Sequence, residues 1–133
     1  MDEQLAIKEF LAGRVFAVVG ASRDRSKYGN KVLRCYLQND RVAWPVHPRE
    51  AEIEGIECSP DLASLPESVS GISVITPPSV TEDVVEQAAR AGIGRIWMQP
   101  GAESPAAVER ARELGLHVIH GGACLLVALG FRE

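Results

Sequence analysis

Short, mainly apolar runs alternate along this chain with segments in which apolar residues recur at helical spacing. Each run has the length of a buried strand, and each spaced segment places its apolar residues on one helical face. The runs predict five strands, over residues 15–19, 41–46, 72–76, 95–98 and 116–119. The spaced segments predict four helices, over about residues 2–12, 28–38, 81–91 and 105–114.

Several helix ends carry capping or stop signals. Ser104 is a cap followed by a proline at the first helical position, and Gly115 closes that helix. Residues 79–82 (Ser-Val-Thr-Glu) match a capping box at the start of the helix predicted over residues 81–91, which we expect to end at Gly92. Gly13 is expected to stop the first helix in a left-handed conformation.

The alternation of strands and helices predicts an α/β fold. Parallel strands need crossover helices, so the pattern indicates a doubly wound, three-layer domain with a five-stranded parallel sheet. Pro45 favours the edge or the end of its strand, because proline cannot donate to a ladder. Residues 47–66 are predicted to be irregular, with Leu62 and Leu65 as core contacts. With 133 residues, of which 46% are hydrophobic, the chain is expected to form one domain over residues 1–133.

Composition narrows the range of partners. A net charge of -4 argues against nonspecific nucleic-acid binding, which depends on summed lysines and arginines. No apolar run approaches the roughly 20 residues that span a bilayer, and the first residues do not resemble a signal peptide. We therefore expect a cytoplasmic protein without membrane association. The three cysteines lack metal-ligand spacing and are expected to be reduced and at least partly buried.

The turn after the first strand carries the most informative chemistry. Residues 15–19 run directly into Gly20-Ala21-Ser22, as in a buried strand that ends at a phosphate-accepting turn. Gly20 is expected to allow close backbone approach to a pyrophosphate. The turn continues to Gly29 through four candidate ligand contacts, Arg23, Arg25, Lys27 and Tyr28. The alternative is that this charged loop is only a solvated surface.

The turn after the second strand helps to choose the ligand. An NAD site usually places an acidic residue there for the ribose hydroxyls, whereas this chain has His47-Pro48-Arg49. Arg49 would suit a phosphate on the adenosine ribose, as in NADP or coenzyme A. It would alternatively pair with Glu50 or Glu52 in solvent.

All five strands end in turns rich in glycine or proline, and the order of these turns resembles a known family. The chain resembles the stand-alone CoA-binding domain proteins, which are similar to the CoA-binding domain of the succinyl-CoA synthetase alpha subunit. The resemblance covers residues 13–124 and rests on four short motifs: Val-Val-Gly-Ala-Ser at 18–22, Pro-Val-His-Pro-Arg at 45–49, Thr-Pro-Pro-Ser at 76–79, and Trp-Met-Gln-Pro-Gly at 97–101.

The resemblance implies a Rossmann-like fold that binds coenzyme A or an acyl-CoA. It places the pyrophosphate near Gly20, Ala21 and Ser22. Beside the phosphorylated ribose it places Pro48 and Arg49, and at the adenosine Thr76 and Pro77. Along the pantetheine path it places Gln99, Pro100 and Gly101. The chain departs from the family in having Gly121-Gly122-Ala123 before Cys124, where members often have Asn-Arg before the cysteine.

The sequence contains no obvious catalytic pair. His117, His120 and Cys124 could suggest a metal site or a Cys–His nucleophile, but the two histidines have opposite strand parity and are expected to face different sides of the sheet. We predict a CoA-binding carrier, sensor or partner of an acyl-CoA enzyme, without its own catalysis. The alternatives are an NADP-dependent or nucleotide-modifying enzyme that uses the same rim, and an interaction domain with a degenerate pocket.

Overall fold

A computed structural model describes residues 2–133 and contains a five-stranded, all-parallel sheet. Its strands are β1 (Val15–Val19), β2 (Val42–Val46), β5 (Gly71–Val74), β6 (Arg95–Met98) and β7 (His117–Ile119), and they lie in the order β2-β1-β5-β6-β7. Between β2 and β5, β3 (Glu52–Ile53) and β4 (Ile56–Glu57) form a small antiparallel hairpin. The Rossmann-like α/β fold class is thereby confirmed, with helices on both faces of the sheet.

The helix α1 (Glu3–Leu11) precedes β1, and three helices connect sheet strands: α2 (Tyr28–Gln38), α3 (Pro78–Arg90) and α4 (Pro105–Glu113). A single 3-10 turn covers Leu62–Ser64, and a π-helical turn covers Leu126–Gly130. Pro45 lies on the edge strand β2, paired with Val18 of β1, as the missing amide proton requires. Within residues 2–133, no helix is both long enough and apolar enough to cross a membrane.

Two apolar layers hold the sheet between the helices, because successive strand residues point to opposite faces. On one face α3 and α4 pack against strand residues that include Ala17, Ile72 and Ile96. The other face carries an aromatic stack under α1 and α2, in which the rings of Phe10 and Phe16 lie 5.3 Å apart and those of Phe16 and Tyr36 lie 4.7 Å apart. Because the five strands are parallel, their carboxyl ends share one rim of the sheet, with an apolar core on each face.

Three local predictions are corrected by the structure. Gly13 does not adopt a left-handed conformation. The position favours glycine for a different reason, since a Cβ there would lie 2.1 Å from the Ser70 hydroxyl oxygen. The capping box does not form, because α3 begins at Pro78 with Pro77 as its N-cap, so residues 79–82 already lie inside the helix. The passage after β2 is more regular than predicted, since the turn at Glu54 and Gly55, both with positive φ, closes the β3–β4 hairpin.

Other predicted helix ends are confirmed. The Ser104 hydroxyl accepts a hydrogen bond from the backbone N–H of Ala107 at 3.0 Å, with Pro105 at the first helical position. Gly92 and Gly115 follow α3 and α4 with φ of 76° and 80°. All three cysteines are free, with Cys35 buried and the other two partly buried.

Candidate functional site

The carboxyl ends of β2, β1 and β5 surround a cavity of about 670 Å³. Its walls come from the turn after β1, the first turn of α2, the turn after β2 and the first turns of α3. A cavity of this size is in the range that small-molecule sites occupy. Of the predicted site residues it brings together Gly20, Ala21, Ser22, Lys27, Tyr28, Pro48, Thr76 and Pro77.

Two glycines allow the β1 turn and α2 to approach each other. Gly20 has a φ of 94°, and a Cβ there would lie 2.0 Å from the carbonyl oxygen of Ile75. At Gly29, a Cβ would lie 2.1 Å from the carbonyl oxygen of Gly20. The unusual backbone dihedral expected at Gly20 is confirmed, and close packing against Ile75 adds a structural reason for glycine besides the expected approach of a pyrophosphate.

The turn between Gly20 and Gly29 is held by its own side chains. Asp24 accepts hydrogen bonds from the backbone N–H and the hydroxyl of Ser26 at 2.9 and 2.6 Å. Both hydrogen bonds lower the pKa of the Asp24 carboxyl, and the bond from the Ser26 hydroxyl has the larger effect. The Ser22 hydroxyl accepts from the backbone N–H of Asp24 at 3.1 Å. The loop is therefore held in place by hydrogen bonds between its own residues.

Two buried polar residues of α2, Asn30 and Arg34, hydrogen-bond to the backbone of this turn. The Asn30 side chain donates to the carbonyl oxygen of Ser22 at 2.8 Å. Arg34 donates to the Asn30 side-chain oxygen at 2.7 Å and to the carbonyl oxygen of Arg25 at 2.9 Å. The sequence interpretation missed both residues. Their spacing of four residues along a helix, on the same face as buried apolar residues, is the signal that could have found them.

The first turn of α2 offers unpaired donors to the cavity. Lys27 is the N-cap, and its side chain accepts no capping bond. The first N–H groups of a helix have no partner within it, and the helix dipole adds a partial positive charge. Since Lys27, Tyr28 and Gly29 all line the cavity, this helix end presents positive potential to a bound anion.

The cations of this rim differ in whether a carboxylate already neutralises them. Arg23 pairs with Glu50 at 3.3 Å, and Arg25 pairs with Glu54 at 3.3 Å. Arg49 does not pair with Glu50 or Glu52, contrary to the alternative considered from the sequence. Within residues 2–133, neither Lys27 nor Arg49 forms an ion pair.

His47 orders the turn after β2. Its Nδ1 accepts hydrogen bonds from the backbone N–H groups of Arg49 and Glu50, both at 3.0 Å. The ring thus fixes the backbone of Arg49, which is exposed and follows the cavity-lining residue Pro48 in the chain. His47 itself lines the cavity, a role that the sequence interpretation did not assign to it.

The opposite wall is fixed by threonine hydroxyls where β5 leads into α3. The hydroxyls of Thr76 and Thr81 lie 2.7 Å apart, and the Thr81 hydroxyl also donates to the carbonyl oxygen of Pro77 at 3.3 Å. These contacts tie the start of α3 to the turn after β5, and the N-cap residue Pro77 supplies no side-chain cap. They leave Pro77 and Val80 exposed to the cavity as an apolar wall.

Gln99, Pro100 and Gly101 lie outside the cavity. Pro100 and Gly101 are exposed, whereas Gln99 is fully buried behind Tyr28. The Gln99 side-chain oxygen accepts from the Tyr28 hydroxyl at 3.0 Å and from the backbone N–H of Leu125 at 2.9 Å. Its Nε2 atom is buried and has no hydrogen-bond partner.

The two histidines near β7 both border a cavity of about 330 Å³ beside this edge strand. His120 lies after the end of β7, with its Nε2 atom 3.3 Å from a guanidinium nitrogen of Arg112 on α4. That the two histidines face different sides of the sheet stays a prediction. Cys124 lies elsewhere, against Tyr28. In the part of the chain that the structure describes, no three His, Cys, Asp or Glu side chains are grouped to hold a metal ion.

Residues 14–130 match the family model described as CoA binding domain. The chain belongs to this CoA-binding domain family. It is 28% identical over 100 residues to the ADP-forming acetate–CoA ligase I of Archaeoglobus fulgidus, in an alignment that covers 74% of this chain and 14% of the ligase. The chain thus corresponds to a small part of a much longer enzyme.

Solved structures extend the comparison. A conserved hypothetical protein from Pyrococcus furiosus is 36% identical and superposes with a TM-score of 0.82, covering 86% of this chain and 98% of that one. The apo form of a dinucleotide-forming acetyl-coenzyme A synthetase from Ca. Korarchaeum cryptofilum is 27% identical with a TM-score of 0.69, covering 78% of this chain and 25% of the synthetase. This CoA-binding domain is therefore similar both to a protein of comparable size and to one module of a synthetase.

Proposed function

We propose that this CoA-binding domain binds coenzyme A or an acyl-CoA at the carboxyl ends of β2, β1 and β5. The observation that carries the proposal is the cavity into which the amino end of α2 and Lys27 project. Arg49, exposed and next in the chain to the lining residue Pro48, adds a second cation without a carboxylate partner among residues 2–133. A ligand with a pyrophosphate and a separate ribose phosphate needs positive charge at two places. Family membership supports coenzyme A as that ligand.

The proposed binding residues combine those that line the cavity with Arg49 and with the turn after β6, both outside its lining. The pyrophosphate lies against Gly20, Ala21 and Ser22, with Lys27 and the N–H groups of α2 beside it. Pro48 and Arg49 contact the ribose phosphate, and Thr76 and Pro77 border the adenosine. The pantetheine arm leaves past Tyr28 toward Gln99, Pro100 and Gly101. Arg23 and Arg25 contribute less, because Glu50 and Glu54 already neutralise them.

The proposed role is that of a carrier, sensor or partner of an acyl-CoA enzyme without catalysis of its own. Its support is that three of the four ionisable side chains lining the cavity are engaged in local structure, while the fourth, Lys27, is assigned to the pyrophosphate. The Tyr28 hydroxyl contacts Gln99 and Cys124, His47 accepts two backbone N–H groups through Nδ1, and Asp61 accepts from the N–H and hydroxyl of Ser64. General acid–base catalysis needs a group free to reach the substrate.

A ligand panel tests the proposal. Thermal unfolding is measured with coenzyme A, acetyl-CoA, NAD, NADP and ATP at equal concentrations, followed by calorimetry. A ligand at about 100 times its dissociation constant stabilises a protein by roughly 2.7 kcal/mol, so binding should be visible as a higher melting temperature. We expect coenzyme A and acetyl-CoA to stabilise, and NAD to have no effect. A response to NADP alone would instead favour the enzyme alternative, and no response to any ligand would favour the degenerate pocket.

We further propose a cytoplasmic location. Its support is the acidic, mixed composition of the chain. Fractionation of cells that express the full-length protein would show it with the cytoplasmic markers, and recovery with the membranes would contradict this.

A further inference from the structure

A thiol lies directly behind the wall of the proposed coenzyme A site. The sulfur of Cys124 is 2.6 Å from the Tyr28 hydroxyl oxygen. Tyr28 lines the cavity, whereas Cys124 and Gln99 lie behind its hydroxyl. A single tyrosine hydroxyl therefore connects the ligand cavity to a cysteine and a buried amide.

The direction of these hydrogen bonds is determined by the backbone. The N–H of Leu125 can only donate, so the atom of Gln99 that it contacts at 2.9 Å is the oxygen. The Tyr28 hydroxyl donates to the same oxygen, so in its contact with Cys124 the thiol is the donor. This leaves the Gln99 amide nitrogen as a buried donor with no partner in the same cluster, and such a donor is costly unless something accepts from it.

The three cysteines differ in their suitability for reaction, because the thiolate is the nucleophile. Cys35 is fully buried, and burial followed by the nearby Cys124 raises its pKa to about 11. Burial, with Glu50 and Glu52 nearby, also raises the pKa of Cys58. Cys124 is partly exposed and follows Gly121 and Gly122, where an added Cβ would meet nothing within 4 Å. Of the three thiols, Cys124 combines partial exposure with a position against Tyr28, a residue that lines the cavity.

The position of Cys124 matches the length of the ligand. The sheet order places β7 three strands from β1, which is about 15 Å at roughly 4.8 Å per strand. The pantetheine arm has the backbone length of about four extended residues, or roughly 14 Å. With the pyrophosphate at the β1 turn, an arm running along the rim past Tyr28 brings its sulfur to the loop after β7.

We propose that Cys124 is a thiol–disulfide exchange site for oxidised coenzyme A, an inference that rests on the proposed function. The Cys124 thiolate attacks one sulfur of the symmetrical disulfide of coenzyme A. A Cys124–CoA disulfide forms, the original S–S bond breaks, and the other half leaves as a thiolate that takes up the proton lost from Cys124. The disulfide substrate is itself the oxidant, so no further reactant is needed.

The test uses the full-length reduced protein with coenzyme A disulfide, followed by intact-protein mass spectrometry without reductant. We expect one CoA adduct per chain, lost on treatment with dithiothreitol and absent from Cys124→Ser. The matched variant Cys58→Ser should keep the adduct. The disulfide of glutathione, which has no nucleotide to bind in the cavity, should react about 10-fold or more slowly, because prior binding raises the effective concentration of the reacting sulfur.

Two measurements distinguish failure of this inference from failure of the proposed function. Calorimetry with reduced coenzyme A on Cys124→Ser, checked for folding by thermal unfolding, reports binding alone, and we expect wild-type affinity. Binding without an adduct, an adduct on Cys58, or equal rates for the two disulfides would overturn the exchange site and leave the binding proposal intact. Absence of both binding and adduct would overturn both.

Discussion

At the scale of single residues, the rim is defined by which charges are already neutralised. Arg23 and Arg25 have carboxylate partners, and Arg49 and Lys27 do not. Exposed ion pairs contribute little to stability, but they reduce the charge that a ligand experiences. The two unpaired cations are therefore the positions at which a substitution should change binding most.

Arg49→Ala should weaken coenzyme A binding by about 10- to 100-fold, because a charge-assisted hydrogen bond contributes about 1.5–3 kcal/mol. Binding of dephospho-CoA, which lacks the ribose phosphate, should change little. Calorimetry with both ligands measures the difference. Arg14→Ala is the matched control, since it removes the same charge at an exposed position before β1, at the opposite end of the sheet. Equal weakening of both ligands by Arg49→Ala would show that Arg49 supports the loop instead.

A second residue-scale prediction separates backbone conformation from close packing. Gly20 and Gly101 have nearly the same φ, 94° and 95°, but only Gly20 has backbone atoms in the way of a Cβ. Gly101→Ala should lower the free energy of unfolding by about 1–2 kcal/mol from the left-handed conformation. Gly20→Ala should cost a further 1–3 kcal/mol or so from overpacking against Ile75. Urea denaturation measures both, and equal losses would contradict the packing argument.

At the scale of elements, whether a serine caps a helix depends on the residue at which that helix begins. Ser104 and Ser79 both lie in sequences that resemble caps, but only the Ser104 hydroxyl accepts from a helical N–H. In α3 the two prolines 77 and 78 begin the helix earlier, since a proline is well suited to the first helical position. The hydroxyl of Thr81 donates to the carbonyl oxygen of Pro77, and Pro77 itself offers no side-chain cap.

Ser104→Ala should therefore lower the free energy of unfolding by about 1 kcal/mol, the usual cost of losing an N-cap. Ser79→Ala, at an exposed position inside α3, should change it by less than about 0.5 kcal/mol. The two midpoints in urea denaturation give the comparison directly. A loss at Ser79 as large as that at Ser104 would restore the capping box that the structure lacks.

At the scale of the whole molecule, thiol and tyrosine hydroxyl groups with raised pKa values make the stability of the fold sensitive to high pH. The pKa of Cys35 is raised from an ordinary 9.0 to about 11, first by burial. Burial also raises the pKa values of the Tyr28 and Tyr36 hydroxyls above their usual range. A group with a raised pKa in the folded state contributes stability that is present below its unfolded pKa and lost as the pH rises through its folded pKa.

The free energy of unfolding should accordingly fall as the pH rises from 9 toward 11. Cys35→Ala removes one of the titrating groups, so its pH profile over that interval should be shallower by up to about 1.4 kcal/mol per pH unit. The slope is the readout, because the variant is also expected to be less stable at every pH. Parallel profiles for the two proteins would show that Cys35 does not titrate in this range.

The periodic pattern of the chain determined the main elements, because strand and helix periods depend on residues close in sequence. All five sheet strands and four helices were predicted to within a few residues. The turn after β1 at Gly20 and the proline at the sheet edge were also predicted correctly in position, whereas phosphate binding at that turn stays a prediction. The β3–β4 hairpin was missed, since two residues per strand are too few for a period to appear in the sequence.

The sequence by itself determined the fold class, the rim on which the turns gather and the family resemblance. Only the tertiary structure decided which rim residues share a cavity. It paired Arg23 and Arg25 with glutamates, left Arg49 free, placed Asn30 and Arg34 under the turn, and set Cys124 against Tyr28. These contacts join residues on different elements, such as Tyr28 and Cys124, which lie 96 positions apart. Their distances depend on how the layers pack and not on any local period.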